Sequence, residues 1–342
     1  MNKINILWID DEAKRDDNRK AINKFSYKDK YDNKTYATGA WKFVNVSNKE
    51  NGTLEYVRNH IKQTAYDVII VDHFLRASTD IIKLGKTWAG FLRENQILAP
   101  IICVTAKDNE NKAQVSRTIF NEYDDLFLQE NIGDSFENIF SIAVGFRNII
   151  GLPKTKEVVK LLKVPLDDIE IIKQILPVSP IISLNKYNNA RKIYEWFKTD
   201  FIGLPGLLYN RQWAANLIGI KEESFAKIEN LFRDAEYAGI FSTKNNRRWW
   251  RSMIKDIVFA KTSKQNEKSP WEAGHGLKAI TDKDFSICFK CKEKYPETMG
   301  YDDISTSKKF KPLHFRCSTV VEDVKKQLFF EEIRRMKTSK DK

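Results

Sequence analysis

Three short apolar runs in the first half of the chain each end in a polar side chain that can contact a metal or a phosphate. They occupy residues 6–9 before Asp10 and Asp11, residues 68–71 before Asp72, and residues 101–104 before Thr105. Short runs rich in isoleucine and valine predict strands that are buried on both faces, as in a parallel sheet. Because parallel strands end at one edge of their sheet, we expect these four polar side chains to converge.

Three of these side chains are carboxylates. Acids that lie close together form a hard oxygen site, which is the kind of site that binds Mg²⁺. A metal held by Asp10 and Asp11 could orient a phosphoryl donor against Asp72, and an aspartate can accept a phosphoryl group covalently. The alternative, in which the acids only solvate the strand ends, stays open at this point.

Strands alternate with helices up to residue 150, which predicts a doubly wound parallel sheet of five strands. The predicted strands lie at residues 4–9, 41–46, 67–72, 101–104 and 126–128, and the helices at residues 12–23, 53–64, 86–95, 109–122 and 135–149. Residues 28–39 form a polar insertion, and residues 76–85 a long loop. Gly151 and Pro153 end the last helix. We therefore expect a first domain at residues 1–150, in a multidomain chain that is α/β and then mainly α.

With these motifs in place, residues 1–150 resemble the receiver domain of two-component response regulators. The resemblance implies that Asp10 and Asp11 bind Mg²⁺, that Asp72 is the phosphoacceptor, and that Thr105 is the switch hydroxyl. The chain departs from the family after the fifth strand, where Gln129 stands in the position of the usual lysine. A neutral amide cannot supply the charge of that lysine, so the usual switching response is in doubt.

The positive charge of the chain lies wholly beyond residue 150. The formal net charge is +12 from 58 Lys and Arg against 46 Asp and Glu, and the first 150 residues hold 21 of each. A neutral domain followed by a basic half suggests an anionic partner for the second half. Lysines spread over the surface for solubility are the simpler explanation.

The basic half predicts a helical domain at residues 154–262 whose later elements resemble a winged helix. Helices are expected at residues 188–199, 213–217 and 222–238, followed by a hairpin of residues 240–243 and 248–253. Winged helices place the second helix of the motif in a groove of DNA and the hairpin on phosphates. The predicted nucleic-acid contacts on the hairpin are Lys244, Arg247, Arg248 and Arg251. Winged helices that bind only protein remain the alternative.

A second metal motif lies near the end of the chain. Cys288 and Cys291 form a Cys-x2-Cys pair, and His314 and Cys317 follow after a loop. This spacing predicts a Cys₃His site for Zn²⁺, and four protein ligands leave no open position for catalysis. We expect a structural zinc module with a C-terminal helix at residues 270–336. A chance cluster of buried thiols is the alternative.

The sequence carries no further catalytic motif. Gly85 and Lys86 lack the glycine loop of a nucleotide-binding P-loop, and no Gly-x-Ser-x-Gly elbow is present. We therefore expect no enzyme activity. No apolar run is long enough to cross a membrane, the first residues are not typical of a signal peptide, and the few cysteines suit a reducing cytoplasm.

Two functions fit these observations. In the first, a response-regulator-like protein receives a phosphoryl group on Asp72 from a histidine kinase or kinase-like partner and controls a basic, zinc-containing output region that contacts DNA. In the second, a degenerate receiver acts as an adaptor that docks to a kinase-like ATPase or an effector, for example in an anti-phage defence or stress operon. The oligomeric state is not assigned by the sequence.

Overall fold

Two compact units make up the structure, which is a computed structural model. It describes residues 2–11, 16–50, 52–75, 84–95, 97–107, 110, 122–152, 157–177, 186–203, 205–262, 269–301, 310–321 and 334–337. The first unit comprises Met1–Leu162, Pro177–Glu195 and Ala238–Asn245, and the second comprises Lys163–Leu176, Trp196–Tyr237 and Asn246–Lys342. This division differs from the consecutive domains expected at 1–150, 154–262 and 270–336, because two later segments pack with the first unit.

The first unit is built around a six-stranded sheet in the order β2-β3-β1-β4-β5-β6. Its strands are β1 (Asn2–Asp10), β2 (Ser26–Lys28), β3 (Thr35–Asn45), β4 (Val68–Asp72), β5 (Ile101–Thr105) and β6 (Asp125–Leu128). Its first helices are α1 (Asp16–Asn23), α2 (Leu54–Gln63), α3 (Gly85–Glu94) and α4 (Ile132–Ile150). Strands β3, β1, β4, β5 and β6 run parallel, and this is the order of flavodoxin-like folds.

The expected sheet of five parallel strands is therefore present, with a sixth strand that the sequence did not predict. Strand β2 pairs antiparallel with the start of β3, so that Ser26 lies opposite Ala37. Part of the insertion expected at residues 28–39 is thus strand. Tyr36 and Thr38 alternate inward there and are 4% and 8% exposed, which is the two-residue period of a strand. The helix expected at residues 109–122 and the loop expected at residues 76–85 lie largely outside the described residues.

Helix α4 is buried on almost all of its faces. Twelve of its nineteen residues are buried, including Phe136, Phe140, Val144 and Ile149. A helix on the surface of a domain normally buries one stripe, so α4 needs cover besides the sheet. Later segments provide some of it: the Phe241 ring lies against Gly145 and packs edge-on against Phe146, with their centroids 6.4 Å apart.

The second unit is mainly helical and also contains two small sheets. Strands β7 (Leu208–Tyr209) and β8 (Trp249–Trp250) pair antiparallel, and β9 (Thr298–Tyr301), β10 (Lys311–Leu313), β11 (Ser318–Val320) and β12 (Arg334–Met336) form a sheet in the order β10-β9-β12-β11. The later helices of the chain are α5 (Val158–Leu161), α6 (Ile169–Ile175), α7 (Lys186–Trp196), α8 (Arg211–Leu217), α9 (Glu222–Phe225), α10 (Arg251–Thr262) and α11 (Pro270–Gly274). Helix α5 and most of α7 belong to the first unit. None of the helices described here combines the length and apolarity that a membrane crossing requires.

The structure corrects two elements of the expected winged helix. The helix expected at 222–238 is not continuous: α9 ends at Phe225, and a 3₁₀ turn follows at Glu229–Phe232. The backbone bonds in between join residues three apart, as from Ile228 N to Phe225 O. Apolar residues spaced by three suit a 3₁₀ path as well as an α-helix, which explains the error.

The expected hairpin is also wrong, both in the partner of its second strand and in the length of that strand. Strand β8 pairs with β7 and, through a single bridge, with Glu236 rather than with residues 240–243. From Arg251 onward the chain is helix α10 rather than strand. The C-terminal helix expected near the end of the chain falls partly outside the described residues, and Arg334–Met336 form strand β12 instead.

The contact between Gly145 and Phe241 yields a prediction with a control in the same helix. A Cβ atom on Gly145 would lie 2.1 Å from Cε1 of Phe241, whereas a Cβ atom on Gly133 would meet nothing within 4 Å. We expect Gly145→Ala to destabilise the protein by roughly 1–3 kcal/mol through overpacking. Gly133→Ala should instead stabilise it by up to about 1 kcal/mol, because alanine favours the helix. Urea unfolding followed by tryptophan fluorescence measures both changes, and an equal gain in the two variants would contradict the packing.

Candidate functional sites

Four polar side chains meet at the carboxyl edge of the parallel sheet, as the sequence predicts. Asp10, Asp72 and Thr105 are the last residues of β1, β4 and β5, and these three strands are neighbours. The carboxylate oxygens of Asp10, Asp11 and Asp72 lie within 4.8 Å of one another. All three acids are buried, at 1%, 7% and 5% exposure. We call this group the acid pocket.

Backbone contacts fix the strand that carries Asp72. The Phe74 amide donates to Asp72 Oδ1 at 3.3 Å, and the Gly85 amide donates to the His73 carbonyl at 2.9 Å. A Cβ atom on Gly85 would lie only 2.0 Å from the Asp72 carbonyl oxygen. Helix α3 can therefore begin this close to the pocket only because its first residue is glycine.

The acid pocket has the chemistry that a magnesium ion and a phosphoryl group require. Buried carboxylates at this separation repel one another, and a divalent cation relieves that repulsion. The Thr105 side chain is fully buried, and its Oγ1 has no hydrogen-bond partner among the described residues. A buried hydroxyl without a partner costs free energy, so this donor suits an oxygen of a bound phosphoryl group. The residues present fit Mg²⁺.

Gln129 lies at the same edge of the sheet. Leu128, the last residue of β6, pairs with Thr105, and Gln129 follows it at the start of a 3₁₀ turn. The next residue, Glu130, accepts a bond from the Lys107 amide at 3.1 Å. The Gln129 amide can donate a hydrogen bond, but it brings no positive charge to the pocket.

The sequence analysis missed a second buried acidic pair, which lies at the start of β6. Asp124 Oδ2 lies 2.6 Å from Arg93, and its Oδ1 lies 2.5 Å from Arg191. Asp125 accepts a 2.5 Å bond from the Tyr194 hydroxyl. These contacts join helix α7 to the sheet of the first unit. The signal in the sequence was a pair of adjacent acids just before an apolar strand. Acids that are buried at such a position require partners, here two arginines for Asp124 and the Tyr194 hydroxyl for Asp125.

The Cys₃His motif forms a compact cluster in the second unit. The ligand atoms of Cys288, Cys291, His314 and Cys317 lie within 4.8 Å of one another. His314 Nδ1 faces the cluster, 3.2 Å from the Cys291 sulfur, while its Nε2 lies 2.8 Å from the Lys294 carbonyl. Donation from Nε2 to that carbonyl leaves the Nδ1 lone pair available to a metal, which is the usual arrangement around zinc.

Backbone bonds hold the two ligand pairs as tight turns that face each other. The Lys292 amide donates to the Cys288 carbonyl at 3.0 Å, and the Cys317 amide donates to the His314 carbonyl at 2.9 Å. The Phe289 amide joins the two turns through the Pro312 carbonyl at 2.8 Å. We call these turns the zinc knuckles, residues 288–291 and 314–317.

The surroundings of two of the thiols shift their pKa values in opposite directions. Burial alone would raise the pKa of the Cys288 thiol, but the backbone amides that face its sulfur, led by that of Cys291, lower the pKa overall. Burial and the neighbouring thiols raise the pKa of Cys317 to about 11. Few apolar side chains pack here, chiefly Leu313 and Met336. Segments with so small a core are commonly stabilised by a structural metal, and these four residues fit Zn²⁺.

The four basic residues predicted to contact nucleic acid differ in their surroundings. Lys244 is exposed, and its backbone amide donates to Glu137 within the first unit. Arg247 lies 2.5 Å from both Glu229 and Glu236, and the hydrogen bond to Glu236 raises its pKa.

The other two arginines lie in the second unit. The Arg248 guanidinium donates to the Ile202 and Arg247 carbonyls, and its burial lowers its pKa. Arg251 lies over the Tyr209 ring. The three arginines therefore have partners within the second unit, and contact of these four residues with nucleic acid stays a prediction.

Comparison with known proteins found solved structures that are similar to part of this chain. No family model matches the chain, and no curated protein matches it. Among solved structures, the receiver domain of a Francisella response regulator is 18% identical and covers 42% of this chain and 98% of its own, with a TM-score of 0.28.

Two further structures are similar. The receiver domain of AraT from Geobacillus stearothermophilus is 22% identical and covers 42% of this chain and 93% of its own, with a TM-score of 0.29. The Salmonella typhimurium response regulator RcsB is 18% identical and covers 56% of this chain and 93% of its own, with a TM-score of 0.31.

Proposed function

We propose that this chain is a response-regulator-like signalling protein in which Mg²⁺-dependent phosphorylation of Asp72 controls the rest of the molecule. The observation that carries the proposal is the acid pocket: three buried carboxylates within 4.8 Å, beside a buried hydroxyl, at the carboxyl edge of a parallel sheet. A purely structural role would not require three like charges to be buried together, because their repulsion destabilises the fold.

The roles of the residues follow from their positions. Asp10, Asp11 and Asp72 would hold Mg²⁺, which neutralises charge on the incoming phosphoryl group. A carboxylate oxygen of Asp72 forms the bond to phosphorus, and the leaving group of the donor departs with the electron pair of the broken bond. The Thr105 hydroxyl then donates to a phosphoryl oxygen. Asp72 is a stoichiometric acceptor in this scheme, so the chain itself is not an enzyme that turns over. Its donor would be a histidine kinase or kinase-like partner.

We propose that phosphorylation of Asp72 affects the second unit through the chain segments that pack on α4. Residues 238–245 belong to the first unit, yet they connect directly to residues of the second unit on both sides. The Ser242 carbonyl accepts from the Tyr27 hydroxyl at 3.0 Å, and Phe241 lies on Gly145. The basic second half would carry the partner contact, with DNA as the anionic partner that the +12 charge favours.

An adaptor with a degenerate receiver is the second candidate. Two observations favour it: Gln129 brings no charge to the pocket, and Arg247 already has acidic partners. Such a protein would dock to a kinase-like ATPase or an effector without being phosphorylated itself. The two candidates differ in the chemistry of Asp72, which can be measured directly.

Magnesium and phosphoryl binding test the acid pocket. We expect Mg²⁺ to raise the melting temperature of the wild type and beryllofluoride to raise it further, because both ligands bind the folded state only. Asp72→Asn should lose the beryllofluoride effect, while Glu55→Gln, which removes an exposed carboxylate on α2, should keep it. Acetyl phosphate should add one phosphoryl group to the wild type by mass spectrometry. A shift that persists in Asp72→Asn, with no adduct on the wild type, would favour the adaptor.

Metal content tests the proposed zinc site. We expect one zinc per chain by elemental analysis of protein purified without chelator, because the four ligands close one coordination sphere. Cys317→Ser should lose the metal, together with the hydrogen-exchange protection of strands β10 and β11. The matched control is Cys103→Ala, since that cysteine lies in β5 of the other unit. Wild-type protein without zinc, or zinc retained in Cys317→Ser, would exclude this ligand set.

A further inference from the structure

The two zinc knuckles share a pattern that metal binding does not require. The first is Cys288-Phe289-Lys290-Cys291 and the second is His314-Phe315-Arg316-Cys317. Each places a phenylalanine and then a cation between two metal ligands. Metal coordination fixes only the ligands, so the repeated pair of intervening residues needs another explanation.

Both phenylalanines point largely into solvent. Phe289 is 41% exposed and Phe315 is 52% exposed. Of the seven large hydrophobic side chains that are exposed among the described residues, four lie between residues 287 and 315. Single exposed apolar groups are ordinary, but several within one small module mark a surface that binds something.

Cations lie over the faces of these rings. Lys311 Nζ lies 3.7 Å and Lys292 Nζ 4.7 Å from the centroid of the Phe289 ring. The guanidinium carbon of Arg334 lies 5.0 Å from the centroid of Phe315. In the described segments around the zinc knuckles, residues 285–301, 310–321 and 334–337, eight Lys and Arg stand against two Asp and Glu. The surface therefore combines flat apolar rings with a concentrated positive charge.

We propose that the zinc knuckles bind single-stranded DNA, with bases replacing these cations on the faces of Phe289 and Phe315 and the displaced and flanking cations contacting the phosphates. A nucleotide carries a flat base and a phosphate a short distance apart, and this arrangement matches an aromatic ring with a cation close to it. Proteins that bind single strands without sequence preference combine aromatic side chains, on which bases stack, with a basic surface that contacts phosphates. A duplex keeps its ring faces stacked inside and offers them only after unstacking.

The charges here are also more available than those of the arginines predicted earlier. Arg316 pairs with Glu293, but the two side chains are 63% and 62% exposed, and exposed pairs of this kind contribute little and exchange readily. The acids that hold Arg247 are only 15% exposed. A phosphate can therefore replace Glu293 far more easily than Glu229 or Glu236. This proposal does not rest on phosphorylation of Asp72.

Fluorescence anisotropy with the zinc-loaded full chain and a labelled oligothymidine strand tests the proposal. We expect Phe289→Ala and Phe315→Ala each to weaken binding by roughly 5- to 150-fold, the range for loss of one stacked base. Phe289→Tyr and Phe315→Tyr should retain binding, because tyrosine keeps the ring face. Loss of two phosphate contacts in Lys290→Ala with Arg316→Ala should flatten the dependence of log affinity on log salt by about 0.7 for each lost contact.

Controls distinguish a loss of DNA contacts from unfolding of the zinc module. Zinc content and melting temperature should be unchanged in the phenylalanine variants, and Leu231→Ala, which removes an exposed leucine outside the module, should bind as the wild type does. The binding assay contains no phosphoryl donor, so that failure of the acid pocket and failure of this surface remain distinguishable. The proposal is overturned if the double phenylalanine variant binds as tightly as the wild type. It is equally overturned if duplex DNA or oligouridine binds more tightly than oligothymidine, or if polyglutamate competes as well as unlabelled strand.

Discussion

The burial of helix α4 is the constraint on which the organisation of this chain depends. A nineteen-residue helix whose apolar side chains point in almost every direction cannot be satisfied by one sheet. Residues 186–195 and 238–245 supply some of the missing cover. Tyr194 packs on Phe146 with centroids 5.7 Å apart, and Phe241 lies on Gly145. The interleaved units follow from this single packing requirement.

The two candidate metal sites differ in what holds them together. The acid pocket is fixed by strands whose burial is complete without any metal, so the fold positions the charges and a cation only relieves their repulsion. The zinc knuckles have a core of only a few side chains, and their ligands are themselves the main contacts. Bound metal would therefore relieve charge repulsion in the acid pocket, whereas it would supply much of the stability of the zinc knuckles.

Much of the first unit could be predicted from sequence because its signals are local. Buried parallel strands read as continuous apolar runs, and the acids that follow them locate the pocket without knowledge of the packing. The extension of β3 could not be read in this way, because Tyr36 and Thr38 lie within a run of polar residues. The helix expected at residues 222–238 failed for another reason: the same apolar spacing fits a 3₁₀ path, and Asp284 fixes that path by accepting from Ser224 and Lys227. That carboxylate is about sixty residues away in sequence, so no local pattern could reveal it.

The segments of the two units alternate along the chain, and this affects both folding during synthesis and recombination of the gene. The first unit contains residues up to Asn245, so during synthesis it cannot complete its packing until much of the second unit has also left the ribosome. A sheet unit that ends with its last helix can be joined to new neighbours by simple fusion. This unit cannot be cut at residue 150 without uncovering α4, so recombination at that boundary would yield an incomplete fragment with exposed apolar side chains. The path of the chain therefore ties the second unit to the first.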